Sequence, residues 1–370
     1  MKILYIMSIP WGWIKQRPHF LAEKMAQDSE VDVYYKRPIH ASKSSLKTEI
    51  EQGAIKSITP FNVIPFNYPK LRWLPLGFIN RILIRLQFVN FSKYDYVWIG
   101  NASLYSIFKP VIPKTCKVVY DCMDDILEFE DCMSDPVYRE YVANSEKSLL
   151  QDAKHVFCSA DFLSKRIQER SGISRDITIV NNAIEVPKVD VVDTTPIQSI
   201  IDKLNSCKYP LLYIGTIAEW FDFELIIKYL DANDDVKMFL VGPVVTQIPN
   251  HKQIIHLGTV DRKYIFSLMD KAWVLTMPFK VTELIKSVNP VKLYEYIYMG
   301  KPSIAPKYGE SLKFGEHVFL YSDYADLKGY LDTMKITPEL SNEKKEHMKE
   351  FVEHNTWDNR CNQVKTIMKI

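Results

Sequence analysis

Apolar and polar positions divide the chain into short apolar runs alternating with amphipathic segments, the rhythm of βα units around a parallel sheet. In the first half, apolar runs at 2–7, 31–35, 94–99, 117–121 and 155–159 predict strands. Between them, 3.6-residue periodicity predicts helices over 17–27, 77–91, 137–152 and 162–170. Around 185–196 the sequence VPKVDVVDTTP loses the helical period and carries two prolines, which predicts a linker. The alternation then restarts, with strands predicted at 211–214, 237–241, 254–257 and 273–277 and a short one beginning at Ile304. The pattern predicts an α/β protein of two tandem Rossmann-like, doubly wound domains, over 1–185 and 197–340, joined by a linker at 186–196. A helical tail over 341–370 follows, long enough to return to the first domain.

Composition narrows the function. Lys plus Arg (47) nearly balances Asp plus Glu (45), so no global positive field is available and no nucleic-acid partner is expected. The six cysteines form no C-x-x-C pair, the pattern of free thiols in a reducing compartment. The opening MKILYIMSIPWGW has Pro and Trp where a signal peptide has a small-residue cleavage site. With no uncharged stretch of membrane-spanning length, a cytoplasmic location is expected.

The most informative stretch runs from Asn289 to Pro302, NPVKLYEYIYMGKP. Asn289 suits a helix N-cap, Pro290 the first helical position, and Gly300 a left-handed C-terminus with Pro302 beyond it. A helix N-terminus is a ready anion site. Lys292 in the first turn opposes the dipole, which makes sense if a diphosphate takes both; Glu295, one turn deeper on the same face, can accept from a ribose diol. A plain surface Lys–Glu pair is the competing explanation.

N-P-x-K-x-x-E-Y followed by G-K-P resembles the donor-site signature of the GT-B glycosyltransferases that build bacterial surface polysaccharides. Trp13 with Gln16-Arg17-Pro18-His19, Tyr120 to Asp125, and Gly215 with Trp220 and Asp222 fit the same pattern elsewhere in the chain. The resemblance implies two Rossmann-like domains facing across a cleft, with Lys292 on the diphosphate and Glu295 on the ribose. Asn289, Leu293 and Gly215 would line the same donor site. It implies transfer of a hexose from a UDP-sugar to a saccharide or polyprenyl-linked acceptor, in lipopolysaccharide-like or other polysaccharide synthesis, without a cofactor or metal. Retaining relatives often carry an acidic residue eight positions before the ribose Glu; here Ser287 stands there, which leaves the stereochemistry open and favours inversion.

Asp121, Asp124 and Asp125 follow the run Val118-Val119-Tyr120, at the end of a strand where α/β sheets bind ligands. Crowded carboxylates repel, and one can be held protonated to a higher pH. The resemblance makes Asp124 the base and Asp121 or Asp125 its support; a helix cap and a divalent-metal site are the alternatives. Arg17, His19 and Trp13 are candidates for phosphate or acceptor contact, with a structural role for the His equally open. No histidine spacing suggests a metal ligand set, and none is expected.

Lys70 to Lys93, KLRWLPLGFINRILIRLQFVNFSK, has five basic and no acidic residues, the composition of a segment lying on an anionic membrane at the inner face of the plasma membrane. Within it, Ile79, Ile82, Leu83 and Leu86 have helix-packing spacing, which leaves 73–78 for lipid contact. A nucleotide-sugar epimerase of the same architecture and a non-catalytic sugar-binding protein are the competing functions.

Overall fold

The apolar runs of the first half form β1 (Lys2–Met7), β2 (Glu30–Lys36), β4 (Tyr96–Ile99), β5 (Lys117–Cys122) and β6 (His155–Cys158), with β3 (Ser57–Phe61) and β7 (Thr178–Ile179) added at the two edges. The structure is a computed structural model describing residues 1–12, 15–37, 53–72, 74–87, 90–187 and 192–370. The order is β3-β2-β1-β4-β5-β6-β7, and every pair is parallel. Helices cover parallel strands on both faces, so residues 3–7 of β1, all of β4 and residues 118–120 of β5 are continuous apolar runs instead of alternating. Their side chains Leu4, Ile6, Val97, Ile99, Val118 and Tyr120 form the core of this unit.

The second half forms β8 (Tyr209–Ile214), β9 (Val236–Val241), β10 (Ile254–His256), β11 (Val274–Thr276), β12 (Ser303–Pro306) and β13 (Phe319–Tyr321). The order is β10-β9-β8-β11-β12-β13, again wholly parallel. In both sheets the winding reverses beside the first strand, between β1 and β4 and between β8 and β11. The carboxyl ends of strands at such a reversal are where open α/β sheets hold ligands.

The chain divides into two units. Unit 1 comprises Met1–Asn182 and Trp357–Ile370, and unit 2 comprises Ala183–Thr356. The 186–196 stretch therefore lies within unit 2, its residues 188–191 outside the described residues. The helical tail is split. Helix Asn342–His354 buries Met348 and Val352 in unit 2, whereas helix Trp357–Met368 belongs to unit 1, where Trp357 stacks on Phe20 at 4.9 Å between ring centres. Cys361, Val364 and Met368 complete its buried face. All six cysteines are free and buried.

The basic segment departs from expectation. Helix Leu76–Gln87 buries Leu76, Asn80 and Ile84, while Ile82 and Leu86, expected to pack, are 43% and 75% exposed. The reason is polar. The Asn80 amide donates to the Ile64 carbonyl and accepts from the Ile64 N–H, both at 2.8 Å. Gln87 makes the same pair with Asn62, at 2.7 and 2.9 Å. These two amides satisfy the main chain just beyond β3 and so fix which face turns inward. Phe78 is 62% exposed and shares the outer face with Ile82, Leu86, Arg81 and Arg85. Arg72 is instead engaged by Asp135 and the Phe66 carbonyl, and Trp73 lies outside the described residues.

Candidate functional site

In unit 2, helix Val291–Tyr298 begins after Pro290 and ends before Gly300, whose φ of 61° is left-handed. Asn289 does not cap it. Its amide donates to Glu310 Oε2 at 3.0 Å and its carbonyl accepts from the Tyr294 hydroxyl at 3.1 Å, so this buried side chain holds the preceding loop. The helical register turns the Leu293 side chain fully into the core of unit 2.

Lys292 lies on the other face. Its Nζ stands 5.5 Å from the centre of the Tyr213 ring and 5.8 Å from that of Phe279, with cation–π attraction from both. Among the described residues its ammonium makes no hydrogen bond or ion pair, and burial lowers its pKa, offset in part by the charge of Glu295. The ammonium reaches directly over Gly215, after β8: a Cβ there would fall 2.3 Å from Lys292 Cε and 2.8 Å from Nζ. Gly242, after β9, has a φ of +139°, and a Cβ there would meet the Gly215 carbonyl oxygen at 2.2 Å. The glycines let two strand-end loops and a lysine converge, leaving a cation beside exposed main chain.

Glu295 is buried one turn deeper, and its Oε1 is ion-paired with Arg262 Nη1 at 3.1 Å. Arg262 opens the short 3-10 turn Arg262–Tyr264 after β10, and its Nε also lies 4.0 Å from Glu185. Sequence reasoning missed this arginine. An isolated Arg far along the chain from its partner has no spacing that marks it, and its place at a strand end was the one available signal.

In unit 1, the loops after β1, β4 and β5 enclose a pocket of about 230 Å³. Met7, Ser8, Asn101, Met123, Asp124 and Phe129 are among its lining. The three aspartates beside it have separate fates. Asp121 is buried and bidentate to Arg17: Nη2 donates to Oδ1 at 2.7 Å and Nε at 3.0 Å. Arg17 Nη1 donates to the Val180 carbonyl at 2.6 Å. The pair is closed on itself, with Arg17 buried and both Asp121 oxygens engaged by its guanidinium. Asp125 is held by Arg166 at 2.9 Å and by Arg170. Asp124 differs. No hydrogen bond or ion pair among the described residues engages its carboxylate, and burial raises its pKa to about 6, against the lowering charge of Arg17 and with the raising charge of Asp125. A carboxylate titrating there, facing a pocket, is a serviceable base near neutral pH. It caps no helix, and among the described residues no three His, Cys, Asp or Glu side chains are grouped to hold a metal ion.

His19 is structural. Its Nδ1 accepts from the Gln16 N–H at 3.2 Å and its Nε2 meets the Pro10 carbonyl at 3.3 Å. Burial lowers its pKa to about 4, so it is neutral and ties down the loop after β1. Trp13 lies outside the described residues.

Two parallel sheets with these orders define the GT-B fold of glycosyltransferases, and solved structures of that class match the whole chain. Sucrose-phosphate synthase from Thermosynechococcus elongatus aligns with a TM-score of 0.71 at 13% identity, over 100% of this chain and 98% of that one. Anabaena HepE in complex with UDP and glucose aligns with a TM-score of 0.68 at 15% identity, over 100% and 99%. No family model matches. In sequence the chain is similar to TuaH of Bacillus subtilis strain 168, named as a glycosyltransferase of teichuronic acid biosynthesis, at 26% identity over 203 residues. That match covers 51% of this chain and 50% of TuaH, so the chain spans about half the length of this relative.

Proposed function

We propose that the protein is a hexosyltransferase of surface polysaccharide synthesis, using a UDP-sugar donor and a saccharide acceptor. The carrying observation is Lys292, a partly buried ammonium that makes no ion pair among the described residues, set over Gly215 at the first turn of a helix. A diphosphate supplies the anion that this arrangement lacks. HepE, of the same fold, binds UDP and UDP-glucose, and TuaH is named for polysaccharide synthesis. Lys292 would hold the diphosphate and Glu295 the ribose diol. Asp124 would take the proton of the acceptor hydroxyl. The acceptor oxygen then bonds to the anomeric carbon, and the bond to the diphosphate breaks with its electron pair passing to phosphate oxygen near Lys292. With Ser287 where retaining relatives carry an acid, inversion is the favoured course.

A polyprenyl-linked acceptor, met at an anionic membrane, is the finer form of the proposal. It is supported by the outer face of helix Leu76–Gln87, where Phe78, Ile82 and Leu86 lie exposed beside Arg81 and Arg85. Among the described residues no helix is long and apolar enough to cross a membrane.

Titration calorimetry tests the donor site. Lys292→Ala should weaken UDP binding roughly 10- to 100-fold, the worth of a charge-assisted contact, and leave uridine binding within about twofold. Unchanged UDP affinity in a folded Lys292→Ala protein would refute the assignment.

A further inference from the structure

We infer that Arg262 is a positioning residue of the donor site: it fixes the Glu295 carboxylate by one oxygen so that the other is presented, already oriented, to the ribose hydroxyls. The inference rests on the donor-site proposal above and adds to it a residue that the donor-helix motif does not contain.

Three observations carry it. Glu295 is buried, and among the described residues the ion pair to Arg262 Nη1, at 3.1 Å, is the contact its carboxylate makes. That contact falls on Oε1 and leaves Oε2 unengaged. A buried carboxylate without a partner is costly, and the Arg262 cation offsets that cost. Next, the arginine is itself placed from outside the helix. It stands on the turn Arg262–Tyr264 that follows β10, where Asp261 and the Gly258 loop lead out of the sheet. Gly242, which packs on Gly215, donates its N–H to the Gly258 carbonyl at 2.8 Å. One connected run of main chain thus links the arginine's loop to the Gly215 loop under Lys292. Finally, Glu185 lies 4.0 Å from Arg262 Nε, on the far side of the guanidinium from Nη1, so the fork is approached by a carboxylate at each end. The 3.1 Å pair to Glu295, with Glu185 facing Nε across 4.0 Å, sets the direction in which the planar guanidinium meets its neighbour.

The geometry predicts that Arg262 acts through the ribose and not through the diphosphate. It also predicts that Lys cannot replace it, since an ammonium supplies charge without the fork.

The test is a pair of affinities measured by calorimetry on the full chain, for UDP and for 2′,3′-dideoxy-UDP, with folding followed by circular dichroism. Wild type should prefer UDP. Arg262→Ala should lose UDP affinity by roughly tenfold or more while dideoxy-UDP affinity changes by less than about threefold, so that the preference collapses. Glu295→Ala should collapse it in the same way, and the double variant should be no worse than Glu295→Ala alone. Arg262→Gln, of similar shape and neutral, should behave like Arg262→Ala, and it replaces that variant if the alanine change unfolds the protein. Equal loss for both nucleotides would make Arg262 a scaffold residue, and no loss for either would leave it without a part in binding; each outcome overturns the inference. Lys292→Ala in the same series separates the two levels. If it loses UDP while Arg262 variants keep the dideoxy discrimination, the donor site stands and this inference alone fails.

Discussion

Replacing Asp124 by Asn preserves size and removes proton acceptance near neutral pH, which separates chemistry from architecture at a single atom. The expected result is a loss of turnover of about 10²–10⁴-fold with UDP binding unchanged. In the wild type, activity should climb as pH rises through about 6, where the carboxylate ionises, and Asp124→Asn should lack this rise. The stability sign is opposite. A carboxyl whose folded pKa is raised favours the folded state below its unfolded value near 4 and loses that contribution as pH rises through about 6, so Asp124→Asn should narrow the stability gap between those pH values. Asp121→Asn is the structural control. It strands the buried Arg17 guanidinium and should cost about 3–5 kcal/mol in a urea titration. In sequence only the family resemblance singles out Asp124 from Asp121 and Asp125, because adjacency in the chain is visible and the arginines that neutralise the other two are not. Lys292 and Glu295 could be proposed from sequence for the converse reason: their register and the stop signals at Gly300 and Pro302 lie within one short segment.

At the scale of elements, strands buried on both faces were readable, since continuous apolar runs bounded by turns survive without an alignment. The strands passed over, β3, β7 and β13, are all at sheet edges. Such strands are short or polar, and β3 carries Pro60, a residue an edge tolerates because one N–H direction is unpaired. Helix Leu76–Gln87 shows a different limit. Apolar spacing pointed its Ile82 and Leu86 inward, yet the buried Asn80 amide, matched to the part-buried Ile64 main chain, turns a different face to the core, because a buried polar group must be paired. The resulting outer face can be tested by sedimentation with phosphatidylserine-containing vesicles. Wild type should pellet with them at low salt and be released as salt rises, whereas Arg81→Glu/Arg85→Glu should stay in solution and still bind UDP. Wild-type protein that ignores such vesicles would remove the support for a lipid-linked acceptor.

At the scale of the whole molecule, unit 2 is inserted between two parts of unit 1, and helix Trp357–Met368 closes unit 1 against helix Arg17–Met25. Trp357 is 1% exposed, and deleting its helix opens the Phe20 face to water. Truncation after Thr356 should lower the melting of unit 1 and increase its amide exchange, while UDP binding by unit 2 persists within a few-fold. The first crossing, between Asn182 and Ala183, falls close to the end at 185 expected from sequence, whereas the second, between Thr356 and Trp357, lies inside the expected helical tail, because the contacts that define it are made with residues at the other end of the chain. The same insertion imposes a timetable on the ribosome. Residues 1–182 leave the exit tunnel early but lack their closing helix until residues 183–356 have been made. At about 5–20 residues per second, that leaves unit 1 open for roughly ten to thirty seconds in every round of synthesis. During that interval Phe20 lacks the Trp357 ring that covers it in the finished fold.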